Sequence, residues 1–115
     1  MKLSGEGKLL RVFVGESDRL DGKPLFEKIL LAAKEEGLAG VTVLRGIAGF
    51  GARSRIHTAK VLRLSEDLPV VLEIVDTEDR INKFMTNVDV MFERSGCGGL
   101  ITLERAEVIR YTHGS

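Results

Sequence analysis

Polar and apolar residues alternate over residues 8–15, KLLRVFVG, placing Leu10, Val12 and Val14 on one face and Leu9, Arg11 and Phe13 on the other. A period of two predicts a strand, and residues 1–7 read as a loose lead-in to it. The period then changes. Leu25, Phe26, Ile29, Leu30 and Ala33 recur at intervals of three and four and leave Glu27, Lys28, Lys34 and Glu35 toward water, which predicts a helix over 24–36. Asp21 stands where it can cap that helix, and Gly37 where a left-handed residue ends it. A second strand starts near Gly40, with Val41, Val43 and Arg45 on one side, Thr42 and Leu44 on the other, and Gly46 marking a bulge.

Residues 57–64 alternate imperfectly and suit a hairpin arm, and 65–69 suit a turn. Residues 70–75 are apolar and β-branched apart from Leu72, Glu73 being the one polar position, and predict a central third strand. Asp76 or Thr77 can cap a second helix with an apolar stripe of Ile81, Phe84, Met85, Val88, Met91 and Phe92, which the glycines of 95–99 stop. Residues 100–111 predict strand four, with an interruption near the polar run 104–107.

The order β-α-β-β-α-β predicts an α+β, ferredoxin-like sandwich: a four-stranded antiparallel sheet with two helices on one face. Strands one and three carry apolar residues on both faces. A helix-free face left in water would expose a large patch, so burial against other copies, an oligomer, is expected.

Composition narrows this further. With 115 residues and 43% apolar content, one domain spanning 1–115 is expected. Lys+Arg and Asp+Glu balance at 17 each, so no overall field favours nucleic acid or an anionic membrane, and any anion site is local. The lone Cys97 excludes an internal disulfide, and with two histidines a structural zinc site is not expected. A reducing cytoplasm fits best. No apolar run approaches the roughly 18 residues of a membrane helix.

Candidate chemistry concentrates in residues 40–58, where a strand runs into Gly49-Phe50-Gly51 and then Arg53 and Arg55. Glycine lets backbone N–H groups approach a phosphate, and guanidinium is a rigid multiple donor. A second glycine cluster lies at 96–99.

These residues, in this order, resemble the PII signal-transduction superfamily, and most of all its small uncharacterised PII-like group of conserved-domain proteins. The likeness runs over residues 8–113. GVTV at 40–43, GFG at 49–51, HT at 57–58, LP at 68–69 followed by VVLEIVDTED, GCGG at 96–99 against the family's GDGK, and VIR at 108–110 carry it. It implies a homotrimer holding an adenine nucleotide (AMP, ADP, ATP or cyclic AMP, with or without magnesium) in clefts between subunits. It implies a T-loop that signals to a membrane transporter, channel or enzyme. By position, Thr42, Gly49, Phe50, Gly51, Arg53, Gly96, Gly98, Gly99 and Arg110 would bind nucleotide, and Ala52, Ser54, Arg55, His57 and Thr58 in loop 51–59 would bind the partner. The chain departs from the family where a phosphate-binding lysine becomes Gly99, a second C-terminal arginine becomes Thr112, and a modifiable T-loop tyrosine becomes Val61. Fewer cations then face a polyphosphate, so a mono- or diphosphate or a cyclic nucleotide is expected over tightly held ATP.

The expected protein is not an enzyme. An acylphosphatase-type enzyme shares the element order, but its anion loop after strand one would here be Gly15-Glu-Ser-Asp-Arg19, whose two acids oppose an anionic substrate. A metal-responsive trimer would need a clustered ligand set. An RNA-binding sheet would need exposed aromatics, and strand one offers only Phe13.

Overall fold

The computed structural model describes residues 5–49, 57–58, 68–112 and 114. Its elements are β1 (Gly5–Gly15), β2 (Arg19–Leu20), β3 (Lys23–Pro24), α1 (Leu25–Glu35), β4 (Thr42–Arg45), β5 (Ala48–Gly49), β6 (His57–Thr58), β7 (Pro69–Asp76), α2 (Glu78–Ser95) and β8 (Leu100–Val108). The main sheet is antiparallel in the order β4-β7-β1-β8, with the two most apolar strands in the centre. This is the ferredoxin-like arrangement expected from the element order.

Register explains how the core is divided. Val12 lies opposite Leu72 and Ile101, and Leu72 lies opposite Val43, so one face collects the apolar residues that pack under the helices. Leu10, Val12, Leu72 and Ile74 are fully buried there with Leu25 and Ile29 of α1 and Ile81, Phe84 and Val88 of α2. Met85, Met91 and Phe92 complete the predicted stripe from its half-buried margin. The opposite face aligns Phe13 with Val71 and Leu100, Val71 with Leu44, and Leu9 with Val75. Leu44 is 48% and Leu100 54% exposed on it.

Four local expectations are corrected. Strand one begins at Gly5, not Lys8. Its glycines carry no hydrophobic signal, yet Gly5 and Gly7 pair with Val108 and Ala106, and a Cβ on Gly7 would stand 3.0 Å from the Asp76 carbonyl. Asp21 does not cap α1: Pro24 occupies that place without a side-chain cap. Asp21 and Gly22, at φ 53° and 79°, instead form the two-residue turn of the β2–β3 hairpin, and the Asp21 carboxylate pairs with Arg94 at 2.6 Å. Strand four is continuous through 104–107 and ends at Val108. It is an edge strand, so Glu104 reaches Arg11 and Arg105 reaches Glu6 without burying charge. Gly46 shows close approach in place of a bulge: its N–H donates to the Pro69 carbonyl at 2.7 Å, and a Cβ would meet the Pro69 ring at 2.8 Å.

Gly37 and Gly96 end α1 and α2 in left-handed conformation, as expected. Of the predicted arm 57–64, His57 and Thr58 pair with Gly49 and Ala48, and residues 59–64 lie outside the described residues, as do 65–67 of the predicted turn.

Candidate functional site

The connection from α1 to β4, residues 37–41, is held from two sides. Asp76, fully buried at the end of β7, accepts the Ala39 N–H at 2.9 Å and the Thr77 N–H at 2.7 Å, and its carboxylate also meets Arg80 Nε at 3.2 Å. The other end of the Arg80 guanidinium donates to the Gly37 carbonyl. From the opposite direction, Tyr111 donates its hydroxyl to the Ala39 carbonyl at 2.7 Å. Tyr111 follows the last paired residue of β8 by three positions, so residues 109–111 carry the chain from the β8 edge toward the β4 side.

These pieces enclose an open cavity of about 690 Å³. Leu9, Val75 and Val41 give it apolar walls, Thr42, Glu73, Glu107 and Arg110 supply side-chain polar groups, and Ala39 and Tyr111 stand at one margin. Glu73 is not an isolated charge there. It accepts from Arg11 Nε at 2.9 Å, and Arg11 also donates to Glu104. The hydrogen bond to Glu73, followed by the charge of Glu104, raises the Arg11 pKa above its ordinary value, so this guanidinium stays cationic. Apolar walls with a few convergent polar groups are what a small-molecule site requires.

The predicted nucleotide residues divide into two groups. Thr42 and Arg110 line this one cavity. Gly49, Gly96, Gly98 and Gly99 lie at the other end of the sheet, where β7 and β8 begin and Gly49 rests on Pro69. Gly99 and Arg110 flank the nine-residue β8, whose eight steps of about 3.4 Å put roughly 27 Å between its two ends. Within one chain these two groups cannot hold the same nucleotide. Phe50, Gly51, Ala52, Arg53, Ser54 and Arg55 lie outside the described residues, and of His57 and Thr58 the backbone is placed in β6.

Two of the glycines answer to their own fold, Gly99 through packing and Gly96 through its backbone conformation. A Cβ on Gly99 would lie 2.4 Å from the Phe92 ring and 2.8 Å from the Phe13 carbonyl, and Gly96 has φ 70°. A Cβ on Gly98 meets nothing within 4 Å, so its lack of a side chain is not imposed by its own fold. Glu73, Glu107, Tyr111 and Asp76 were not among the residues assigned to a site from sequence. Asp76 or Thr77 was expected to cap α2; Thr77 occupies the N-cap position without a side-chain cap hydrogen bond, its own N–H donating to Asp76, and the Asp76 bond to Ala39 joins residues 37 positions apart, which periodicity does not report.

The loop after β1 is occupied by its own chain. Gly15 N–H donates to Asp18 at 2.8 Å and Glu16 N–H to the Leu68 carbonyl at 2.8 Å, so neither is aimed at an acyl phosphate. Among the described residues, no three His, Cys, Asp or Glu side chains cluster as metal ligands.

The family described as "Uncharacterized ACR, COG1993", DUF190, matches residues 7–108, and the chain belongs to it. A UPF0166 protein of Aquifex aeolicus is 44% identical over 102 residues, covering 89% of this chain and 92% of that protein. A UPF0166 protein of Methanocaldococcus jannaschii is 33% identical over 91 residues, covering 79% of this chain and 83% of that one. The fold is similar to that of CPII, a nitrogen regulatory PII-like protein from Thiomonas intermedia K12, solved with ADP, AMP and bicarbonate. Its TM-score is 0.70 at 14% identity, covering 91% of this chain and 90% of that one. The apo form of CPII aligns with a TM-score of 0.61 at 14% identity, covering 92% and 95% of the two chains. The chain is thus a PII-like protein in fold.

Proposed function

We propose that this DUF190 chain is a non-enzymatic regulator that binds an adenine nucleotide between the subunits of a homotrimer and signals through loop 51–59. The observation that carries the reading is the division of the candidate residues: a cavity with Thr42 and Arg110 at one end of the sheet, and glycine-rich backbone at the other. Two copies arranged head to side bring unlike ends together. The apolar face bearing Phe13, Leu44, Val71 and Leu100 supplies the surface that would hold them. The CPII structures solved with ADP and AMP support the ligand class by analogy of fold.

The cavity's chemistry divides the ligand. Apolar Leu9, Val41 and Val75 suit the faces of a purine. Glu73 and Glu107 accept from amino or hydroxyl groups and repel phosphate, which is left to Arg110 at the rim and to loop arginines 53 and 55. A ligand clasped at the loop base shifts the loop toward one conformation in proportion to its preference for that state.

The test is calorimetric titration with AMP, ADP, ATP and cyclic AMP, with and without magnesium, on protein whose oligomeric state is known from light scattering. Micromolar binding of one of them by a trimer is expected. Binding should weaken by ~1.5–3 kcal/mol in Arg110→Ala, the range for a hydrogen bond to a charged group. A trimer that binds none of the four, or a monomer that binds one at full strength, would refute the reading.

A further inference from the structure

The cavity has an internal fastening that the nucleotide reading does not use. Its two walls, 39–42 and 106–111, belong to segments far apart in sequence, and the Tyr111 hydroxyl bonded to the Ala39 carbonyl at 2.7 Å joins them directly. On one side, the wall is rigid: Ala39 N–H is held by the fully buried Asp76, and Gly37 by Arg80. On the other side, the wall is a strap one chain thick. β8 pairing ends at Val108, and Ile109 is 84% exposed. Residues 109–111 reach about 10 Å at full extension, so they have little slack and the width of this mouth is fixed by whether Tyr111 is docked.

We propose that residues 109–111 form a strap that closes the cavity, with Tyr111 as its latch on Ala39, and that a nucleoside ligand enters and leaves when the latch opens. The inference rests on the nucleotide reading above and adds to it a named gate and a direction of control. Asp76 keeps the receiving carbonyl in place, so opening moves the strap and leaves the 37–41 loop where it is. The hydroxyl is part-buried and bonded to a neutral carbonyl, so opening exchanges that neutral hydrogen bond for one to water. Such a latch slows ligand release by a modest factor without abolishing binding.

The chain provides its own probe, because Tyr111 is its one tyrosine and it has no tryptophan. Tyrosine emission therefore comes from the latch residue and from no other side chain. The experiment titrates the full chain with AMP and with ADP, following heat for binding and tyrosine emission for the strap. Stopped-flow dissociation of a fluorescent AMP analogue is then compared between wild type, Tyr111→Phe and a chain ended after Val108. Wild type should change its emission on binding. Tyr111→Phe should melt within a few degrees of wild type and release the analogue roughly 2- to 10-fold faster, the span set by one neutral hydrogen bond. The shortened chain, which loses Arg110 together with the strap, should release it faster still. Nucleotide binding with unchanged emission, and equal release rates in wild type and Tyr111→Phe, would overturn the latch and leave the nucleotide reading standing. No heat with either nucleotide in wild type would overturn both.

Discussion

Asp76→Ala should destabilise the fold by about 2–4 kcal/mol, and the figure follows from what its carboxylate holds. Asp76 is fully buried and accepts two backbone N–H groups, Ala39 at 2.9 Å and Thr77 at 2.7 Å. A buried donor left without a partner costs ~1–3 kcal/mol, and these two, being part-buried, fall in the lower part of that range. The contact with Arg80 adds little, since that side chain is 37% exposed and keeps its bond to the Gly37 carbonyl. The loss would take a large share of the ~5–15 kcal/mol that holds an ordinary domain together. Asp76→Asn retains the shape and one acceptor oxygen but turns an NH₂ toward a donor, so it should lose about half as much. The assay is denaturant unfolding at one fixed protein concentration, because assembly shifts the apparent midpoint. Amide exchange at Ala39 and Thr77 should accelerate more than at Leu72. An Asp76→Ala chain within 0.5 kcal/mol of wild type, the ordinary scatter of a surface substitution, would refute the assignment of Asp76 as the anchor of both α2 and the 37–41 loop.

Four further substitutions have expected outcomes. Gly99→Ala, whose Cβ would press on Phe92 at 2.4 Å, should cost ~1–3 kcal/mol in thermal unfolding. Gly98→Ala, with nothing within 4 Å and no positive φ, should hold or raise stability by ~0.4–1 kcal/mol. If residues 96–99 carry phosphate through their backbone, Gly98→Ala should nevertheless weaken nucleotide binding in the same calorimeter. Leu44→Glu places a charge among Phe13, Val71 and Leu100 on the open sheet face, and light scattering should find smaller particles with far-UV dichroism unchanged. Arg11→Met removes the cation between Glu73 and Glu104 and leaves two like charges on the strands either side of β1, so assembly should weaken at low ionic strength and recover in part with added salt; an oligomer identical to wild type at low salt would contradict this.

What the sequence determined by itself was the set of elements and the division of each into faces. Burial repeats every second residue along a strand and every three to four along a helix, so Leu10, Val12 and Leu72, or Ile81, Phe84 and Val88, announce their side without any neighbour being known. Element order then leaves few ways to fold, and the sheet order β4-β7-β1-β8 is one of them. The same local signals missed the glycine start of β1, the Asp21-Gly22 hairpin and the unbroken β8, because glycines and edge-strand charges have no apolar period to read.

Tertiary structure alone decided which chemistry meets. Thr42 and Arg110 share a cavity because β4 and the chain end after β8 converge at one end of the sheet, while Gly99, eleven residues before Arg110, is carried by an extended strand to the other end. Asp76 finds Ala39, Tyr111 finds the same residue from the other side, and Phe92 leaves room for a hydrogen and nothing larger at Gly99. Each of these is a contact across dozens of residues or between packed surfaces. Its partner is fixed by strand register and helix packing, and neither is written in the spacing of the residues that make the contact.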